Sequence, residues 1–167
     1  KLNTAEADVY ILALPTSFDE LKGEFDISIL DDAISVIDKF HASENTKPSV
    51  CIKSTVPIGY TKSMQKLYPR LKLVFSPEFL QEGSAMHDVI NASRIVIGSD
   101  DAQICQDMKD LFTSSNIVKP TTITMSSSEA ESSKLFANSY LAMRVAFFNE
   151  IDTYCLYKGL DPEPIIK

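Results

Sequence analysis

From residue 9 to residue 98, short continuous apolar runs alternate with polar stretches of helical period. Val9-Tyr-Ile-Leu-Ala-Leu14, Val50-Cys-Ile-Lys53, Leu71-Lys-Leu-Val-Phe75 and Arg94-Ile-Val-Ile-Gly98 have the length and side-chain types of strands. Between the first two, Ser17 to Asp26 is a turn region and Ile27 to His41 a helix. Ile27, Leu30, Ile34, Ile37 and Phe40 fall on one stripe of that helix, and Asp26 is its expected N-cap. A polar loop from Ser43 to Pro48 leads into the strand at 49–53. Gly59 to Leu67 predicts a short helix, which Pro69 ends before the strand at 71–75. Continuous apolar strands separated by helices predict a parallel sheet covered on both faces.

The later part changes character. Asp101 to Thr113 predicts an amphipathic helix carrying Ile104, Met108 and Leu111, and Thr121-Thr-Ile-Thr124 a strand. From Ser128 to Lys158 there is no glycine or proline, enough for a helix of roughly 46 Å at about 1.5 Å per residue. Ser128 and Glu131 have the spacing of a capping box, with Ser126 and Glu129 as an overlapping alternative. Lys158-Gly159 supplies a C-terminal cation followed by a glycine stop. Phe136, Tyr140, Leu141, Met143, Val145, Phe147, Phe148, Ile151 and Tyr154 wrap most of the circumference, so several neighbours must bury this helix. Asp161-Pro-Glu-Pro164 opens a further helix.

Composition narrows the functional classes. A net charge of −7 with no Lys/Arg cluster argues against a nucleic-acid partner. No apolar run approaches the roughly 20 residues of a membrane span, and the first residues lack the apolar core of a signal peptide. A cytoplasmic location without membrane association is the expectation. Cys51, Cys105 and Cys155 are widely spaced and lie in apolar runs, which suits reduced, buried thiols. With two histidines and no Cys-x-x-Cys, no metal site is expected.

The candidate chemistry lies where strands end, because open α/β sheets hold their ligands at the carboxyl ends of parallel strands. The third strand leads into Phe75-Ser-Pro-Glu-Phe-Leu-Gln-Glu-Gly83, which delivers Glu78 and Glu82. The second ends in Ser54-Thr-Val-Pro-Ile-Gly59, and the first in Pro15-Thr16. Glu78 and Glu82 are either plain loop carboxylates or a base and a water holder. Thr16 and Thr55 are either turn hydroxyls or hydrogen-bond partners of a ribose, a carboxamide or a catalytic water. Lys134 and Asn138, four apart, share one face of the long helix. They either reach water by snorkelling or meet an oxyanion or carboxylate. The five glycines include no Gly-x-Gly-x-x-Gly phosphate turn.

Read in order, Leu14-Pro-Thr16, Lys53-Ser-Thr-Val-Pro-Ile-Gly59, Phe75-Ser-Pro-Glu-Phe-Leu-Gln-Glu-Gly83, Arg94-Ile-Val-Ile-Gly98 and Ser128-Glu-Ala-Glu-Ser-Ser-Lys-Leu-Phe-Ala-Asn138 resemble the UDP-glucose/GDP-mannose dehydrogenase family. The continuation Ser139 to Asp152 is most similar to its bacterial UDP-glucose members. The resemblance runs through essentially the whole chain and implies oxidation of a nucleotide sugar's 6-hydroxyl to a carboxylate, with NAD as cofactor and through an enzyme-bound thioester. Carried over by residue, it implies that Pro15, Thr16, Ser54, Thr55, Val56 and Glu82 line the NAD side. Glu78, Phe79, Leu80, Gln81 and Glu82 form the loop that holds the UDP-sugar. Glu78 serves the acid/base and hydrolytic steps, Thr55 positions water, and Lys134 and Asn138 meet the sugar oxygen as oxyanion donors. A homodimer built on the long helix is implied as well.

The resemblance also implies two features this sequence does not carry: a Gly-rich turn for the NAD pyrophosphate and a cysteine in a Gly-rich loop. None of Cys51, Cys105 or Cys155 lies in such a loop. The expected fold class is α/β, the second half of a Rossmann-type parallel sheet followed by a long central helix. Residues 1–125 are expected to be the latter part of the NAD domain, 126–158 the connecting helix, and 159–167 the start of the next domain. By itself such a stretch is expected to be inactive. The rival expectations are a dehydrogenase of GDP-mannose or of a UDP-N-acetylhexosamine, and a non-catalytic dimerisation module.

Overall fold

Alternation along the central strands sets the layering, since successive side chains point to opposite faces. In the computed structural model, which describes residues 6–80, 83, 85–114 and 120–167, the chain begins with β1 (Val9–Leu12), a small hairpin of β2 (Phe18–Asp19) and β3 (Glu24–Phe25), and α1 (Ser28–Glu44). It continues through β4 (Ser49–Ile52), α2 (Tyr60–Leu67), β5 (Lys72–Phe75), α3 (Ala85–Ile90), β6 (Arg94–Gly98) and α4 (Ala102–Ser114). It ends with β7 (Thr121–Met125), α5 (Ser127–Lys158) and α6 (Glu163–Ile166). The main sheet has the order β1-β4-β5-β6-β7. Val50 and Ile52 of β4, with Leu73 and Phe75 of β5, join Leu30, Ile34 and Ile37 of α1 in one apolar cluster. Their neighbours Cys51 and Val74 face the other way, onto Ile104, Cys105 and Met108 of α4. Both faces are therefore buried, as the unbroken apolar runs required. Truncating one of these fully buried side chains, such as Ile34 to Ala, costs about 2–5 kcal/mol.

The sheet is mainly parallel. β1 pairs with β4, β4 with β5, and β6 with β7 in parallel. The junction of β5 with β6 departs from the expectation, being antiparallel through the single pair Phe75–Gly98. Pro77, two residues beyond, has no N–H to extend that ladder. The reversal brings Arg94, at the start of β6, to the rim where β5 ends, and its guanidinium stacks on the Phe79 ring at 4.4 Å. Gly98 is packed tightly. A Cβ there would lie 2.4 Å from the Ala130 Cβ, so only glycine lets α5 approach the sheet this closely.

Several boundaries move. Asp26 is not the cap of α1. Ile27 occupies that position, while the Asp26 carboxylate accepts from the Ser28 N–H (3.1 Å) and hydroxyl (2.6 Å) as a local turn. α1 runs on to Glu44 and stops at Asn45, whose positive φ of 55° closes the helix. The hairpin within residues 17–26 and the short α3 have no periodicity long enough to betray them. At the other end, Gly159 N–H reaches Leu156 O and Leu160 N–H reaches Cys155 O, completing a Schellman stop.

Of the two candidate capping boxes, the structure uses the alternative. Ser126 N–H donates to Glu129 at 2.8 Å and Glu129 N–H returns to the Ser126 hydroxyl at 3.4 Å. Glu131 is thereby free for another task. It is fully buried, and its carboxylate accepts the N–H of Gly59 (2.5 Å) and of Thr61 (2.8 Å) at the start of α2. A carboxylate on a helix N-terminus satisfies orphan donors and meets the positive end of the helix dipole. The chain forms two compact units, Lys1–Lys134 and Leu135–Lys167, and this latch lies wholly within the first.

Glu131→Ala would leave the buried Thr61 N–H and the partly buried Gly59 N–H without an acceptor, at a cost of about 2–4 kcal/mol. Urea denaturation should report that loss, with Glu131→Gln losing less because one acceptor oxygen survives. Equal stability of Glu131→Ala and wild type would show that the latch contributes nothing.

Candidate functional site

The rim at the carboxyl ends of β1, β4 and β5 is knit together by side chains. Ser54 Oγ accepts from Leu14 N–H at 2.8 Å and donates to Leu14 O at 2.6 Å. Thr16 donates its hydroxyl to Thr55 O at 2.7 Å. These two bridges fasten the segment after β1 to the segment after β4. Next in the sheet, Lys53 Nζ donates to Ser76 O at 3.0 Å and lies 3.6 Å from Glu78 Oε1. Lys134, one turn along α5 from Glu131, donates to the backbone carbonyl of Glu78 at 2.6 Å.

These groups enclose a cavity of about 340 Å³, lined by Leu14, Thr16, Lys53, Ser54, Thr55, Glu78, Leu80 and Lys134. A neighbouring cavity of about 300 Å³ shares Lys53, Glu78 and Leu80 and adds Phe79, Arg94 and Phe112. A larger one, about 540 Å³, lies toward the other ends of the strands and contains none of the candidate residues. Burial pushes the Lys134 ammonium below its usual pKa, with the charge of Glu78 opposing the shift. Lys134 also sits 5.5 Å from the centre of the Phe79 ring.

Most of the expected residues meet at this rim. Thr16, Ser54, Thr55, Glu78, Leu80 and Lys134 share the first cavity, and Phe79 borders the second. Pro15 is exposed beside it. The Val56 side chain is buried in the apolar cluster, so only its backbone can face a ligand. Gln81 and Glu82 lie outside the described residues. Asn138 belongs to the second unit. Lys53 was not singled out by the sequence reading, although a lysine closing a buried strand, with a side chain only 18% exposed, demands a partner. No group of three or more potential metal ligands occurs among the described residues.

The three cysteines are free and buried. Cys51 and Cys155 are fully buried. Burial pushes the Cys51 thiol up to about 11 and raises that of Cys105 as well.

The model of the UDP-glucose/GDP-mannose dehydrogenase family's NAD-binding domain matches residues 1–116, and that of the same family's central domain matches residues 128–167. The chain belongs to the UDP-glucose/GDP-mannose dehydrogenase family. The UDP-glucose 6-dehydrogenase of Campylobacter jejuni is 45% identical over 163 residues, covering 96% of this chain and 40% of the relative. That of Streptococcus pneumoniae is 39% identical, with 96% and 41% covered. The chain thus spans about 40% of the length of these curated relatives. Among solved structures, a GDP-mannose dehydrogenase from Pseudomonas aeruginosa superimposes with a TM-score of 0.83 at 22% identity, covering 96% of this chain and 38% of that one. Such a likeness concerns the fold, and it agrees with a Rossmann-type sheet.

The opposed influences on Lys134 give a sign that can be checked. Glu78→Gln removes the charge that favours the ammonium, so the Lys134 pKa should fall further below its usual value. Titration of the Lys134 13Cε resonance reads this directly, and an unchanged or raised value contradicts the assignment.

Proposed function

We propose that this chain supplies the latter part of the NAD-binding domain, and the central helix, of an NAD-dependent UDP-glucose 6-dehydrogenase. The observation that carries this reading is the convergence of Lys134, Glu78 and the Ser54–Thr55 rim on one cavity. Relatives at 45% and 39% identity carry the name of that enzyme, which favours UDP-glucose over GDP-mannose or an N-acetylated sugar. The reaction oxidises the sugar's 6-hydroxyl twice, to UDP-glucuronate. Domain limits of 1–125, 126–158 and 159–167, and a cytoplasmic location, belong to the same proposal.

The rim fits NAD chemically. It offers small hydroxyl side chains on a backbone held open by the Ser54 and Thr16 bridges, and each hydroxyl keeps a lone pair for a ribose or carboxamide donor. Pro15, Thr16, Ser54, Thr55, the Val56 backbone and Glu82 would hold it. Bound NAD supplies the hydride acceptor. Glu78, or a water it shares with Thr55, takes the hydroxyl proton and later orients the hydrolytic water. Lys134 faces the oxygen that becomes negative, joined by Asn138, and a partly desolvated ammonium stabilises such charge more than one in bulk water. The covalent step falls to a cysteine other than Cys51, Cys105 and Cys155, which are buried. Phe79, Leu80, Gln81 and Glu82 complete the sugar loop.

The second unit favours a homodimer. Phe136, Tyr140, Phe147 and Tyr154 are each more than half exposed along α5, an apolar surface larger than monomers usually leave wet. A two-fold copy is the simplest cover, since one face serves both subunits.

In the full-length enzyme, Lys134→Ala should lower turnover of UDP-glucose about 10²- to 10³-fold. Glu78→Gln should slow it too, with a covalent sugar adduct visible by mass spectrometry if hydrolysis suffers most. Rates near wild type for both variants would make these groups structural. For assembly, light scattering at micromolar concentration should give a dimer that Phe148→Asp weakens. A monomer would mean that other parts of the polypeptide cover the helix.

A further inference from the structure

We infer that Lys53 is a positioning residue that fixes the Glu78 carboxylate relative to the rim. The inference rests on the role given to Glu78 above and adds a residue to that site. Glu78 is held at two points of different kind. Lys134 takes its backbone carbonyl at 2.6 Å, which sets the path of the loop. That contact leaves the side chain, with its rotatable bonds, free to swing. Lys53 supplies the second point, with its ammonium 3.6 Å from Glu78 Oε1.

The ammonium is itself immobilised. It donates to Ser76 O at 3.0 Å, two residues before Glu78, and lies 5.0 Å from the centre of the Phe112 ring. The Lys53 N–H is bonded to Leu12 O at 2.8 Å, so its backbone continues the sheet. A pinned cation loses little entropy when it engages a carboxylate, unlike a lysine waving at the surface. The lysine side chain is 18% exposed against 38% for Glu78, so solvent screens the pair less than an open surface pair. Lys53 borders both cavities, and the carboxylate sits between them. Without the cation, the Glu78 side chain can turn from one cavity toward the other. A displacement of about 1 Å in a base can cost on the order of 10²-fold in rate.

The test is a double-substitution cycle in the full-length enzyme. Lys53→Met should lower kcat on UDP-glucose about 10- to 10²-fold, with the Kd for NAD measured by calorimetry unchanged within about threefold. Lys53→Arg, which keeps the charge and can bridge Ser76 O and the carboxylate, should recover most of the rate. In a Glu78→Gln background, Lys53→Met should cost less than about twofold, because the group it positions is gone. Equal losses in both backgrounds, or no recovery with arginine, would overturn the inference and leave Lys53 a structural residue. Should Lys53→Met fail to fold, Lys53→Gln in the same cycle carries the identical expectation. If Glu78→Gln alone retains the wild-type rate, the reading of Glu78 fails. If only the Lys53 variants do, the inference fails by itself.

Discussion

A buried carboxylate holds the functional end of this molecule together. Glu131 has no exposure and binds the N–H groups of Gly59 and Thr61, tying the first turns of the long helix to the start of α2. Two candidate groups are registered by that tie. Lys134 follows one helical turn later, which carries it over the Glu78 carbonyl. The segment from Ser54 to Gly59 runs straight into α2, so its position beside the first strand's end is fixed at the other side by the latch. Gly59, with φ of 90°, makes the sharp entry that presents both N–H groups. Charge-assisted bonds of this kind are short and strong, and removing one partner of a buried set costs more than making it gains.

The same rim shows a division of labour between backbone and side-chain contacts. Ser54 and Thr16 bond to main-chain groups, so they set the shape of the cavity without spending its acidic and basic groups. Lys134 likewise uses a main-chain carbonyl. Among the described residues of the rim, Lys53 is the one that approaches a carboxylate directly. Among the described residues, the charged groups lining this polar cavity are Lys53, Lys134 and Glu78, in a chain whose net charge is −7.

Much of the fold was readable in the order of residues. Each main strand and the long helices fall within a few positions of their expected limits, because a run of apolar residues buried on two faces leaves few alternatives. The hairpin near residues 18–25 was missed because two-residue strands have no period. The antiparallel join of β5 to β6 was missed because pairing direction depends on how the chain returns, and sequence patterns report burial rather than direction. The capping pair was ambiguous at the level of spacing: Ser126–Glu129 and Ser128–Glu131 both satisfy the rule. Only the proximity of α2, seventy residues away in sequence, draws Glu131 aside.

The sequence by itself determined the types of the main strands and long helices, their approximate ends and the family to which the chain belongs. Those follow from local chemistry: periodicity, proline and glycine placement, and collinear motifs. Tertiary structure alone decided which groups meet. Lys53 reads as the polar end of a strand until Ser76 and Glu78 arrive beside it from the next strand. Val56 reads as part of a ligand loop until the core claims its side chain. A side chain's role depends on neighbours distant along the chain, and their arrival is set by packing rather than by any local pattern.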